Sequence, residues 1–270
     1  MLFSGASWLR RIGRAAVGLA GSLRVMADWQ SRRRLLTAKL SARLGRDGVD
    51  PVALRIRGPA ALEVFVRPGT SDMGILYEHF ARGAHLPPGA EPMRQIIELG
   101  TGSELALADL ARRYPGARLL GVEPDRENAE MARLNTEPFG DPCSVLEAAV
   151  WDVDADLVIE GQLTGLLVVR PASEDERGSA VRGLSMEGLL SEQMPHDPID
   201  FLHVDIAGVE PRVFTPGVRW MQRMRSITIQ VYPDRGLTQD QCVELLHGYG
   251  FVTRPDVAWW GGQVFGVRDG

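Results

Sequence analysis

Gln95-Ile96-Ile97-Glu98-Leu99-Gly100-Thr101-Gly102-Ser103 decides how this 270-residue chain is read. The apolar run 95–99 has the length and continuity of a strand buried on both faces. Glu98 closes it, Gly100 and Gly102 give a turn that can approach a ligand without a Cβ in the way, and a helix is expected from Leu105. About twenty residues on, Leu119-Leu120-Gly121-Val122-Glu123 supplies a second apolar strand that also ends in an acid. An acid at the tip of the neighbouring strand is where an open α/β sheet holds ribose hydroxyls.

The spacing departs from a dinucleotide fingerprint. An acid stands before the first glycine, and Leu105 occupies the place of the third. A pyrophosphate on a helix N-terminus is therefore not what the turn suits. S-adenosylmethionine (AdoMet) fits better, because it has no pyrophosphate and carries an ammonium group that needs anionic or carbonyl partners. Glu98, Gly100, Gly102 and Glu123 are the expected cofactor residues, with Ala148 and Ala149 leaving room for an adenine ring at the end of a third strand, 144–148.

Strands and helices alternate from residue 95 onward, which favours a doubly wound, mostly parallel sheet. Further strands are expected at 199–205 and 226–231, with two terminal strands near 251–253 and 263–267. The pieces 156–160 and 166–170 read as an inserted hairpin around Gly161, and 172–179 as an exposed loop. Before the sheet, 52–57 and 62–66 make a small β-hairpin, and Thr70-Ser71-Asp72 starts a helix that can lean over a cofactor. In that setting Ser71 and Asp72 either touch AdoMet or cap the helix. The domains expected are a basic helical arm, 1–48, and a catalytic body, 49–270.

Charge is unevenly spread. Residues 1–46 hold ten Arg/Lys and one acid, Asp28, so they carry +9, and the rest of the chain carries −14. An acidic body argues against nucleic acid as a partner. The arm reads either as an amphipathic helix lying on anionic membrane or as a solvated helix packed on the body or on a second subunit. Its apolar stretch, 15–22, is short for a signal peptide, and no run reaches the roughly 18 apolar residues that span a bilayer. Cys143 and Cys242 match no metal spacing and read as reduced thiols of a cytoplasmic protein.

Several motifs occur in order: Arg67-Pro68-Gly69-Thr70-Ser71-Asp72, Glu98-Leu99-Gly100-Thr101-Gly102, Val122-Glu123-Pro124-Asp125 with Asn135, Ala148-Ala149-Val150, and 200–210 with Asp205-Ile206-Ala207-Gly208-Val209-Glu210. Together they resemble the FkbM family of AdoMet-dependent O-methyltransferases over about residues 52–267. The resemblance implies a Rossmann-like class I methyltransferase sheet, mostly parallel with one antiparallel strand near the C-terminus. It also implies methyl transfer to a hydroxyl of a sugar, glycolipid or specialised metabolite. Ala207 stands where that family has glutamate, and His203 near where it often has lysine.

Asp205 should end the fourth strand, with His203 two residues earlier on the same face. The pair is the expected catalytic base. Together with Glu210 it could instead hold a divalent ion, though no motif marks a metal site. Two other functions are weighed beside methyl transfer: a non-catalytic scaffold or membrane-docked partner, which Ala207 favours, and an NAD-dependent oxidoreductase. His79, His85, His196 and His247 have no acid at a telling spacing and read as surface or packing residues. Trp259-Trp260-Gly261-Gly262 reads as a β-turn with buried indoles or, as the alternative, an aromatic platform for a sugar. The sequence does not specify the acceptor or the oligomeric state.

Overall fold

The computed structural model describes residues 16–45, 50–58, 60–89, 92–100, 102–103, 105–160, 168–195, 198–206, 208–215, 217–232, 234–258 and 261–268. Thr101, Ala207, His196 and Trp259-Trp260 lie outside these, as do residues 1–15 of the arm. The chain divides into two compact units, Met1–Ala84 and His85–Gly270.

In the first unit, residues 16–25 are helical and a second helix spans Trp29–Arg43. The break between them has a cause. Asp28 caps the second helix by accepting from the Ser31 amide at 2.7 Å, and Met26 pairs with Ile56 as an isolated antiparallel bridge. Strand β1 (Val52–Ile56) pairs antiparallel with β2 (Leu62–Val66) in the hairpin that the sequence predicts. The second helix buries Ser31, Leu35 and Ala38, spaced for one face, and packs on β1. Ser31 Oγ accepts from the Arg55 amide, and Arg34 Nη1 donates to the Ala53 carbonyl. These contacts join the hairpin to the second helix within the first unit. A short helix, Asp72–Leu76, then runs into a π-helical turn, Tyr77–Ala81.

The second unit is built on a seven-stranded sheet: β3 (Gln95–Leu99), β4 (Arg118–Glu123), β5 (Cys143–Glu147), β10 (Ile199–Val204), β11 (Met224–Val231), β12 (Phe251–Ala258) and β13 (Gly261–Arg268). Their spatial order is β12-β13-β11-β10-β3-β4-β5. The strands from β5 to β11 pair in parallel, and β13 runs antiparallel between β11 and β12. One face packs Ile96, Phe201 and Leu119 on Leu107 and Leu110 of the helix Leu105–Arg113. The opposite face carries the larger core, with Leu99, Val122, Val204 and Ile229 packed with Leu189 and Leu246.

A second sheet, ordered β6-β9-β7-β8, follows β5: β6 is Ala149–Trp151, β7 Ala155–Glu160, β8 Val168–Pro171 and β9 Val181–Ser185. The expected hairpin is present as the antiparallel β7–β8 pair, while its turn lies outside the described residues. The loop expected at 172–179 instead holds a 3-10 helix, Glu174–Ser179, closed by a capping box between Ser173 and Glu176. The strand β9 was not anticipated; it pairs in parallel with β6 and antiparallel with β7. Among the described residues no helix is long and apolar enough to cross a membrane.

Candidate active site

The sheet reverses its winding between β3 and β10, with β4 and β5 on one side and β11 on the other. Ligands of open α/β sheets bind at the carboxyl ends of the strands at such a reversal. There Gly100 has φ +77° and donates its amide to the Val122 carbonyl at 2.9 Å. The Asp205 amide donates to the Leu99 carbonyl at 2.9 Å, tying the end of β10 to β3. A Cβ on Gly100 would collide with the Asp205 carbonyl oxygen, so only glycine fits here.

Glu123, at the tip of β4, faces this bend. Its Oε2 accepts from the Gly102 amide at 2.8 Å, and its Oε1 accepts from the Asp125 amide at 2.9 Å and from Asn128 Nδ2 at 3.4 Å. Burial pushes its carboxyl up to about 7, against the lowering pull of these donors. Asn128, in the helix that follows, thus helps to hold Glu123. Asp125 caps the helix Arg126–Thr136 by accepting from the Asn128 amide. Asn135 Nδ2 donates to the Ser103 carbonyl at 2.8 Å and fastens that helix to the turn. Ala148 and Ala149 are buried beside the tip of β4, where the Ala148 amide donates to the Glu123 carbonyl.

Glu98 and His203 are register partners on β3 and β10, both buried. His203 Nδ1 donates to Glu98 Oε1 at 3.2 Å. Glu98 Oε2 is buried and has no hydrogen-bond partner among the described residues. Burial pulls the imidazole down, but Glu98 and then Asp205 outweigh it and leave it above its ordinary value. Asp205 is partly exposed and accepts from the Tyr232 hydroxyl at 2.7 Å. Burial raises its carboxyl, while His203 and Tyr232 hold the rise back. Glu210 is buried, accepts from the Gly208 amide at 2.8 Å and is also raised by burial. Among the described residues no group of three His, Cys, Asp or Glu is arranged to hold a metal ion.

Tyr232 is the residue that sequence reasoning missed. It stands at the carboxyl end of β11, and its position just past an apolar strand was the available signal. Ser71 and Asp72 belong to the first unit. Ser71 makes no cap bond, so the N-cap reading does not hold. Asp72 is fully buried and takes Arg67 in a paired grip, from Nε at 2.9 Å and Nη2 at 3.0 Å, with the Arg67 amide as a third donor. His85 is not a plain packing residue. It is fully buried with its Nε2 2.9 Å from Asp109, which also meets Arg112 and Arg113.

The strand order and the reversal at β3/β10 define a Rossmann-like class I methyltransferase fold. No family model matches the chain. A stretch of 87 residues is 34% identical to the tRNA1(Val) (adenine(37)-N6)-methyltransferase of Porphyromonas gingivalis ATCC 33277, covering 32% of this chain and 34% of that enzyme. The same enzyme of strain W83 is 35% identical over 80 residues. The chain thus spans about a third of the length of the curated relatives it matches. Solved structures similar to it include the METTL16 methyltransferase domain, at 15% identity and TM-score 0.44 over 75% of this chain and 70% of that one. Precorrin-6y C5,15-methyltransferase of Geobacter metallireducens GS-15 aligns at 11% identity and TM-score 0.42, over 66% and 81% respectively.

The tRNA relatives overturn one expectation, that nucleic acid has no place among the partners. That expectation averaged charge over the whole body, whereas contact with a polyanion depends on local charge, and the chain's charge is strongly local.

Proposed function

We propose that this protein is an AdoMet-dependent methyltransferase. The observation that carries the reading is Glu123, buried at the tip of β4 and aimed at the glycine bend that follows β3. A carboxylate so placed accepts ribose hydroxyls, and the small side chains of Ala148 and Ala149 leave space for an adenine. The unpartnered Glu98 oxygen suits an ammonium donor, because a buried acceptor without a partner is costly and a ligand that supplies a donor recovers that cost. AdoMet supplies a methyl group already activated by a sulfonium charge.

The acceptor we favour is a hydroxyl of a sugar, glycolipid or specialised metabolite. Asp205, raised by burial, would take the proton as the hydroxyl oxygen bonds to the methyl carbon and the methyl–sulfur bond breaks, leaving the sulfur as a neutral thioether. Tyr232 orients the carboxylate, and His203 acts through Glu98 and Asp205 as a positioning residue. The ordered motifs that resemble the FkbM family support this choice. A second reading, methylation of an adenine amine in RNA, is favoured by the 87-residue match. The segment matched is a third of those enzymes, so it supports the shared donor more directly than the shared acceptor.

Calorimetry with AdoMet and with its demethylated product tests the first step. Binding is expected for the wild type and not for Glu123→Ala; a folded wild type that gives no heat with either ligand sinks the reading. Isotope-labelled AdoMet and a cell extract, separated into RNA, glycan, lipid and small-molecule fractions, then tests the acceptor. Label confined to adenine in RNA replaces the hydroxyl reading with the second.

A further inference from the structure

The helix Trp29–Arg43 has two faces with different fates. Ser31, Leu35 and Ala38 are buried on the hairpin side. On the opposite side Trp29 is 72% exposed, Leu36 42%, Leu40 58% and Leu44, at the C-cap, 63%. Turned onto a helical wheel, these four fall within about 80° of one another, an apolar stripe along the axis broken by Arg33 between Trp29 and Leu36. Arg33 lies within that sector and is exposed. Arg32, Lys39 and Arg43 follow one another along one border of it. The helix contains five basic residues and no acid; the carboxylate just before it, Asp28, caps its first turn.

A solvated helix would not be expected to present tryptophan and three leucines in line, since exposed apolar side chains are ordinarily scattered. We infer that this face docks on an anionic lipid surface, with the stripe in the headgroup–acyl boundary and the arginines on phosphate or carboxylate headgroups. The chemistry matches helices that lie in the interface plane: leucine and tryptophan on one side, basic residues beside them, and too little apolar length to span. Charge complementarity selects the occupant. A net +9 over residues 1–46 opposes a second copy of the same face, which would bring like charges together, and favours an anionic surface. An RNA would use the arginines but leave the leucine stripe in water. The inference does not depend on the methyl-transfer reading, because it concerns a different unit of the chain.

Flotation of the full-length protein with phosphatidylcholine vesicles, with and without phosphatidylserine, tests it. Co-flotation with the anionic vesicles is expected, weakened by added salt through screening. The double variant Leu36→Glu/Leu40→Glu should partition at least about tenfold less, because two carboxylates replace the apolar contact. Its unfolding midpoint and its heat with AdoMet should match the wild type, since both side chains are exposed and lie outside the candidate active site. The inference fails if the wild type stays with the protein-only fraction. It fails equally if the double variant floats as well as wild type. A wild-type dimer that the double variant dissociates, without any lipid partition, assigns the stripe to a second copy. Loss of RNA retention in the variant with unchanged flotation assigns it to nucleic acid.

Discussion

The Glu123 carboxylate accepts a hydrogen bond from the Gly102 amide at 2.8 Å, so the tip of β4 and the bend after β3 are directly joined. Three donors meet this one buried side chain, yet its carboxyl is still pushed up to about 7 by burial.

The sign of the resulting pH dependence is fixed. The folded state raises Glu123 from 4.5 to about 7, so the fold prefers the neutral acid. Its contribution to stability is fully present below pH 4.5 and is lost as pH rises through about 7. Glu123→Gln, which stays neutral, should therefore gain on the wild type across that window by roughly 3–4 kcal/mol. Denaturant unfolding at a series of pH values reads this, and a difference between the two proteins that stays flat from pH 4.5 to 8 refutes it.

Gly100→Ala should unfold at markedly lower denaturant and fail to bind AdoMet. Positive φ alone costs about 1–2 kcal/mol for an alanine, and the new Cβ also meets the Asp205 carbonyl. Gly140→Ala is the control, because its φ is +67° but nothing lies near its Cβ. If both variants lose equal stability, the close approach at Gly100 is not real.

Asp109→Ala should cost about 3–5 kcal/mol, because it removes the buried carboxylate that His85, the largely buried Arg112 and the exposed Arg113 share. Burial would raise Asp109, but His85, Arg113 and Arg112 hold it far below the usual carboxylate range. Its contribution is present above its ordinary value of 3.8 and is lost only in strong acid. The stability advantage of wild type over Asp109→Asn should thus shrink as pH falls below 3.8. An advantage that stays constant through strong acid would contradict the arrangement.

Tyr232→Phe should leave AdoMet affinity intact and move the acid limb of the kcat profile to higher pH. The lost hydrogen bond is one of the groups that hold the Asp205 carboxyl down, so the base becomes harder to ionise and activity falls earlier as pH drops. Asp205→Ala should lose turnover by about 100-fold or more with binding retained. Unchanged turnover in Asp205→Ala removes Asp205 from the role of base.

Much of the central sheet was legible because β3, β4 and β10 are buried on both faces, and such strands read as unbroken apolar runs. Glu98 and Glu123 stood out as acids closing those runs. The second sheet was less legible: β9, Val-Arg-Gly-Leu-Ser, mixes charge, glycine and apolar residues, and it makes sense only beside β6 and β7. The His85–Asp109 pair spans 24 residues and belongs to no periodic pattern. Tyr232 reaches Asp205 only because β11 lies next to β10, a neighbour relation that local sequence does not encode. In the arm, basic and apolar residues could be counted, but the face each took depended on where the hairpin lay.

The antiparallel strand β13 sits between β11 and β12 although it follows both in the chain. During synthesis these two earlier strands emerge with a gap between them and with unpaired backbone edges. The gap is filled only after Arg268 has cleared the ribosome. A nascent chain ending between Ala258 and Gly261 would thus leave the facing edges of β11 and β12 open to neighbours, a liability for self-association that β13 removes.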